Sequence, residues 1–239
     1  MKNITPRLSV IVSIYNGEKF LEQFLENVLS QTCINDIEVL LLDAQSTDSS
    51  KDIILKFNHS SLKYFLLEKK YSIYETWNIG IKLAKSNLLS NWNVDDRRKN
   101  TSLETQISFM ENNNECDICY GYLAWSFKEN EKFEENNLTN LYPCYDVTAE
   151  TMMENNSPHC MPLWRKNLHD KFGLFDINYA TAADFDFWMR CIEGKANFQK
   201  LYEIVGLYYY NPNGLSTHMK STNMQEGSLI KQKFKHLIK

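Results

Sequence analysis

Along the first hundred residues the hydrophobic pattern alternates between two periods. Leu8–Ile14 (LSVIVSI) is almost continuously apolar and β-branched, as a strand buried on both faces reads. Tyr15-Asn16-Gly17 interrupts it. Phe20, Leu21, Phe24, Leu25, Val28 and Leu29 then recur at helical spacing. A second strand, Ile37–Leu42, stops at Asp43, and Thr47-Asp48-Ser49-Ser50 offers capping oxygens to a helix carrying Ile53, Ile54 and Phe57. Leu62–Leu67 predicts a third strand, Tyr74–Ala84 a helix, and Leu88–Asn93 a fourth strand that ends in Val94-Asp95-Asp96. Strand and helix alternating in this way imply parallel crossovers and a sheet covered on both faces.

Beyond Asp96 the rhythm changes. Leu103–Met110 predicts a helix, Asp117–Tyr120 and Tyr122–Phe127 two strands, and Lys128–Asn140, acidic and rich in Asn, a mobile loop. Met161–Trp164 is strand-like, Leu168–Leu174 is a short helix closing near Gly173, and Ala182–Ile192 is an amphipathic helix. Leu201–Tyr210 is a strand leading into the turn Asn211-Pro212-Asn213-Gly214. No repeat or long linker divides the chain. The expected organisation is one α/β domain with a nucleotide-binding half (1–100), an acceptor half (101–220) and a C-terminal helical tail (221–239).

Composition narrows the function classes. The chain has 239 residues, 43% of them hydrophobic and 23% charged, which excludes disordered and collagen-like sequence. The net charge of −4 lacks the basic footprint of a nucleic-acid binder. Six scattered cysteines read as reduced thiols in a reducing compartment, and Cys116-Asp-Ile-Cys119, half of a zinc spacing, also reads as a core strand. Met1–Arg7 is polar, and no run approaches the roughly 20 apolar residues that a membrane span needs. A cytoplasmic protein is expected, with at most peripheral membrane contact through Lys231–Lys239, whose plainer reading is a solvated last helix.

In an open parallel sheet, ligands bind in the crevice beyond the carboxyl ends of the strands. Here those ends deliver Ser13, Tyr15 and Asn16, then Asp43, then Asn93, Asp95 and Asp96. No G-x-G-x-x-G and no Walker lysine loop occurs, which disfavours dinucleotide enzymes and P-loop NTPases. The crevice instead holds carboxylates. They tolerate a phosphate only with a divalent cation between, such as Mg²⁺ or Mn²⁺. The plainer alternative is that Asp95 and Asp96 cap a turn before Arg97 and Arg98.

The segments SVIVSIYN (Ser9–Asn16), VLLLDAQSTDS (Val39–Ser49), SIYETWNIGI (Ser72–Ile81) and NWNVDD (Asn91–Asp96), followed by Pro158-His159, Gly173–Asp176 and Ala182–Arg190, resemble the motifs of family 2 glycosyltransferases in order and spacing. The resemblance implies the GT-A fold, a Rossmann-like mostly parallel sheet with helices on both faces. It also implies inverting sugar transfer from a nucleotide sugar, expected to be UDP-linked, to a hydroxyl of a glycan or of a lipid- or protein-linked saccharide. Carried to this chain, it implies that Tyr15 stacks on the base, Asp43 binds the base or an adjacent nucleoside group, and Asn78 helps wall the pocket. Asp95 would lie near the ribose and Asp96 would hold Mn²⁺ or Mg²⁺, with Asp95 and His218 as further metal candidates.

The resemblance also makes Asp184 the catalytic base, a role that suits a carboxylate in the first turn of a helix, where the dipole favours the ionised form. His159, Asp186 and Trp188 fall on the acceptor side. Asp186, four residues before Arg190, also suits a helix ion pair, and Trp188 a buried stripe. Trp77, Trp125 and Tyr208–Tyr210 offer rings to a sugar, although core packing is their plainer reading. The chain departs from the family at Ala44, where Asp is frequent, and at Asn93, which replaces the first carboxylate of a D-x-D. Two rival readings stay open: a sugar nucleotidyltransferase, and a glycan-binding scaffold on a degenerate version of the fold.

Overall fold

A computed structural model describes residues 5–238. The polar N-terminal stretch therefore begins outside the described residues, as does Lys239. The first half runs β1 (Leu8–Ile14), α1 (Glu18–Leu29), β2 (Ile37–Asp43), α2 (Ser50–Lys56), β3 (Leu62–Leu66), α3 (Ile73–Leu83), β4 (Leu88–Asn91) and β5 (Arg97–Arg98). The second runs α4 (Ser102–Asn112), β6 (Ile118–Ser126), α5 (Ala149–Glu154), β7 (Leu163–Arg165), α6 (Leu168–Phe172), α7 (Ala183–Glu193), β8 (Phe198–Tyr209) and α8 (Asn223–Lys233).

All eight strands join one sheet in the order β3-β2-β1-β4-β7-β6-β8-β5. The pairings β1–β2, β1–β4, β2–β3 and β6–β8 are parallel, whereas β7 runs antiparallel between β4 and β6, and β5 is antiparallel to β8. The chain therefore continues one sheet from its first half into its second.

Strand alternation sorts the core into two layers. Leu8, Val10, Val12 and Ile14 point towards α1, α2 and α4, where Phe24, Leu25, Ile54 and Ile107 meet them. Ile11, Leu40 and Leu42 point the other way, onto Tyr74, Trp77 and Ile81 of α3 and a layer continued by α7. Helix α3 lies so close to β1 that a Cβ at Gly80 would come within 2.5 Å of Ile11, so only glycine fits. Gly173, at φ 78°, closes α6 in the left-handed region that glycine alone enters freely.

Four expectations change. Asp117–Phe127 is a single strand, β6, whose register against β8 shifts on either side of Tyr122; the irregularity reads locally as a break. The two-residue β5 and the short α5 carry too few residues to show a period. The Lys128–Asn140 loop is fastened rather than loose: Asn130 bonds the Lys19 carbonyl at 3.0 Å and accepts from Arg97, and Asn136 bonds the Trp125 carbonyl at 3.1 Å. Finally, the terminal helix is not merely solvated. Ile230 of α8 and the following Phe234 are buried in the layer that holds α7. Among the described residues no helix is long and apolar enough to cross a membrane.

Candidate active site

The carboxyl ends of β1, β2 and β4 open onto one crevice, and the loops that leave them are knitted together there. Asn16, at φ 51°, accepts the Thr47 N–H on its side-chain oxygen and donates its own backbone N–H to Ser46. Asp48 takes the backbone N–H of Ser50 at 3.0 Å and of Glu18 at 3.0 Å, joining the starts of α1 and α2. Capping of α2 thus comes from Asp48, and Ser49, in the N-cap position, bonds no N–H with its side chain.

Tyr15 is 42% exposed at the crevice mouth, and the Lys70 ammonium sits 3.8 Å from its ring centroid. Ser13 is half-buried, beside Leu42 in the β1–β2 register. Asp43 is buried; its two oxygens accept the Ser46 N–H at 2.8 Å and the Tyr64 hydroxyl at 2.9 Å. Burial and that carboxylate push the Tyr64 hydroxyl pKa up, which keeps it a donor. Asn78 grips the backbone of Phe175 with both ends of its amide, at 2.9 and 3.0 Å, and so ties α3 to the Gly173–Asp176 turn.

Asp96 is 1% exposed, with one oxygen on the Tyr209 N–H at 3.0 Å and the other on the Asn93 amide at 3.1 Å. Asp95 accepts from the Asn211 amide at 2.9 Å. Burial first, and then the neighbouring charge of Asp95, push the Asp96 carboxyl up to about 7; burial raises Asp95 as well. The arginines that follow do not neutralise the pair. Arg97 donates to the carbonyls of Val94 and Asp96 at 2.9 and 2.8 Å, and Arg98 reaches Gln106 and Ser90, both at 2.8 Å. Neither carboxylate forms an ion pair with a cationic side chain among the described residues.

No group of three or more His, Cys, Asp or Glu converges among the described residues, so the chain offers the pair Asp95–Asp96, with the Asn93 amide beside it. A hard dication carried by a diphosphate asks for one or two carboxylates and takes its other oxygens from phosphate and water. His218 is not in this group: it is exposed in the turn after Asn211, where its Nδ1 accepts the Lys220 N–H at 3.1 Å.

Asp184 lies in the first turn of α7, reached from two distant segments. The Tyr74 hydroxyl donates to one oxygen at 3.0 Å across 110 residues, and the Asn156 amide to the other at 2.9 Å. Burial raises its pKa, and these two donors oppose the rise. The N-cap of α7, Ala182, has no capping side chain. Glu226 of α8 supplies the acceptor instead, taking the N–H groups of Ala180, Thr181 and Ala182 at 3.0, 2.9 and 3.0 Å.

Two acceptor-side expectations are corrected. Asp186 is 0% exposed and faces α8, held by Arg190 at 2.8 Å and Lys233 at 2.6 Å, so no acceptor reaches it. Trp188 is 1% exposed, edge-on to Trp164 at 5.7 Å, and is core. His159 is half-buried at φ 45°, with its ring 4.3 Å from Tyr142 and 4.4 Å from Tyr208. Burial lowers its pKa to about 4, so the ring is neutral. No local spacing announces Tyr74, Asn156, Asn211 or Glu226 as site residues, because their partners lie far away in sequence.

A family model described as Glycosyl transferase family 2 matches residues 9–173. An uncharacterized glycosyltransferase of Methanocaldococcus jannaschii is 22% identical over 211 residues, 87% of this chain and 72% of the relative. A PGL/p-HBAD biosynthesis glycosyltransferase of Mycobacterium bovis is 24% identical over 217 residues, 88% and 79% of the two chains. The structure of residues 1–349 of S. aureus TarS in complex with UDP-GlcNAc matches with a TM-score of 0.77 at 19% identity, over 95% of this chain and 65% of that one. The mannosyltransferase PcManGT of Pyrobaculum calidifontis, in complex with GDP-Man and Mn²⁺, matches with a TM-score of 0.66 at 13% identity, over 87% and 58%. The chain thus spans a little under two thirds of the TarS chain. Such low identities speak for the fold, which is GT-A, while the family match extends over most of the sequence; the chain belongs to glycosyl transferase family 2.

Proposed function

We propose that the protein transfers a sugar, with inversion, from a UDP-linked donor to a hydroxyl of a glycan or glycoconjugate. The observation that carries this reading is a contrast among buried carboxylates. Asp95 and Asp96 repel each other without a bonded cation, whereas Asp184 is wrapped by two neutral donors. The first arrangement suits a cation brought in with a diphosphate; the second suits a proton acceptor.

Asp96 and Asp95 would hold Mn²⁺ or Mg²⁺, whose charge would stabilise the departing diphosphate. Tyr15 stacks on the base. Asp43 stands at the nucleoside end of the crevice and keeps the Ser46 loop in place through their 2.8 Å bond. The UDP-GlcNAc held by TarS and the GDP-Man and Mn²⁺ held by PcManGT support a nucleotide sugar as the donor.

Asp184 then removes the proton of the attacking hydroxyl. The oxygen bonds to the anomeric carbon as the bond to the diphosphate breaks, and the leaving group departs with the electron pair. Tyr74 and Asn156 fix the carboxylate in one orientation by donating to its two oxygens. His159, neutral at physiological pH, contributes to the acceptor side.

The test is a panel of nucleotide sugars incubated with Mn²⁺, with release of the nucleoside diphosphate followed in the presence and absence of saccharide acceptors. Release of UDP from at least one UDP-sugar is the expected result. Release of pyrophosphate from UTP and a sugar phosphate, with no UDP formed from any donor, would overturn it in favour of nucleotidyl transfer.

A further inference from the structure

The loop after β6 encloses a cleft of about 410 Å³ that the donor crevice does not use. Its size falls within the roughly 300–1,000 Å³ of small-molecule sites. Trp125 and Phe127 line it together with Glu131, Asn136, Asn137 and Thr139. The rings of Trp125 and Phe127 stack at 6.0 Å and 19°, and Tyr210 closes on Phe127 at 6.1 Å. Phe127 is 64% exposed and Tyr210 44%, so broad ring faces meet water beside a row of amides and hydroxyls.

We infer that this cleft binds a neutral sugar unit of the acceptor. The inference rests on the glycosyltransferase reading above and names where the acceptor lies. Pyranose rings present apolar C–H faces and a rim of hydroxyls, and a surface that pairs aromatic faces with amide and carboxylate groups satisfies both. The charge of the lining excludes an anion. Lys128 pairs with Glu135 at 2.9 Å and Glu131 accepts from the Asn136 amide at 2.9 Å, so two carboxylates outnumber the one cation of the lining. A phosphate- or carboxylate-bearing acceptor would be repelled here.

The cleft is also pre-built, because Asn130 and Asn136 pin its loop to α1, Arg97 and β6. Tyr210, whose ring meets Phe127, lies in the chain between Tyr209, whose N–H binds Asp96, and Asn211, whose amide binds Asp95, which links the cleft's edge to the donor carboxylates through three successive residues. From Trp125 the aromatic band continues through Tyr208, at 4.8 Å, to His159. An acceptor seated on this band would run from the cleft towards the donor site.

Saturation-transfer NMR with lactose, chitotriose and maltotriose, set against glucose 6-phosphate and glucuronic acid, tests this. The full-length protein is used, with UDP affinity measured on every sample. Neutral saccharides are expected to receive saturation at their ring C–H protons and the anionic ones not. Phe127→Ala should weaken neutral-sugar binding by about tenfold, the loss of one stacked ring, and Phe127→Trp should restore it. Phe127 is exposed, so UDP binding should be unchanged in both variants. Binding confined to the anionic sugars, no binding of any neutral sugar, or full binding by Phe127→Ala would each overturn the inference while UDP binding stands. Loss of UDP binding in the unmodified protein would instead strike the donor reading.

Discussion

The two acidic corners of the site solve opposite problems. In the loop that follows β4, Asp95 is half-buried and its neighbour Asp96 buried, and burial together with mutual repulsion pushes Asp96 up to about 7. At the start of α7, Asp184 is single, and a phenol and an amide steady it without adding charge. A carboxylate pair of the first kind is unfavourable until a cation joins it. One of the second kind can take a proton and return it. Asp186, two residues along α7 on the opposite face, shows the third option: ion pairs with Arg190 and Lys233 that leave it no chemistry. Asp186 differs from Asp184 in both respects: it is fully buried and bonded to two cations, whereas Asp184 is half-buried and bonded to neutral donors.

That contrast can be broken by substitution, beginning with the largest effect. Asp184→Asn keeps the shape and removes the base, so kcat should fall by about 10²–10⁴ with UDP affinity unchanged, read from initial rates and calorimetry. Tyr15→Ala acts on the other corner. It should raise the UDP Kd by about tenfold, the loss of one base-stacking ring, with little change in kcat at saturating donor.

Tyr74→Phe sharpens the comparison through pH. Burial places the Asp184 pKa above that of an ordinary carboxylate, so the rate should fall as pH drops through that raised value, where the base becomes protonated. The Tyr74 hydroxyl favours the ionised form, so removing it should move the acid limb of the kcat profile to higher pH. An unmoved limb would detach Tyr74 from the base.

The smallest effect on catalysis belongs to Asp186→Asn. It should lower stability by about 2 kcal/mol, less than for a fully buried ion pair because Lys233 is partly solvated, and leave kcat within about twofold. Denaturant unfolding and a rate measurement at one temperature suffice.

Much of this architecture was legible along the chain because strand ends are local. An apolar run that stops at Tyr15, Asp43 or Val94-Asp95-Asp96 places those residues in the crevice once the sheet is known to be parallel. Helix α7 was equally legible from its apolar spacing. The partners were not. Tyr74 and Asp184 are 110 residues apart, Asp96 meets Tyr209 across 113, and Glu226 caps α7 from an otherwise weakly patterned helix. Asp186 shares a motif with Asp184 yet faces the other way, because positions two apart on a helix point about 200° apart, while Trp188, one turn on from Asp184, is buried in the core. The Lys128–Asn140 loop read as mobile from its composition, but the Asn side chains that suggest disorder are the ones that fasten it.

The central claim is that Asp95 and Asp96 form a cation site completed by the donor diphosphate. Titrating UDP calorimetrically into the protein and into Asp96→Ala, each with and without Mn²⁺, tests it most directly. The account predicts tighter UDP binding with Mn²⁺ in the unmodified protein and no such gain in Asp96→Ala. Equal UDP affinity with and without Mn²⁺ in the unmodified protein would contradict it.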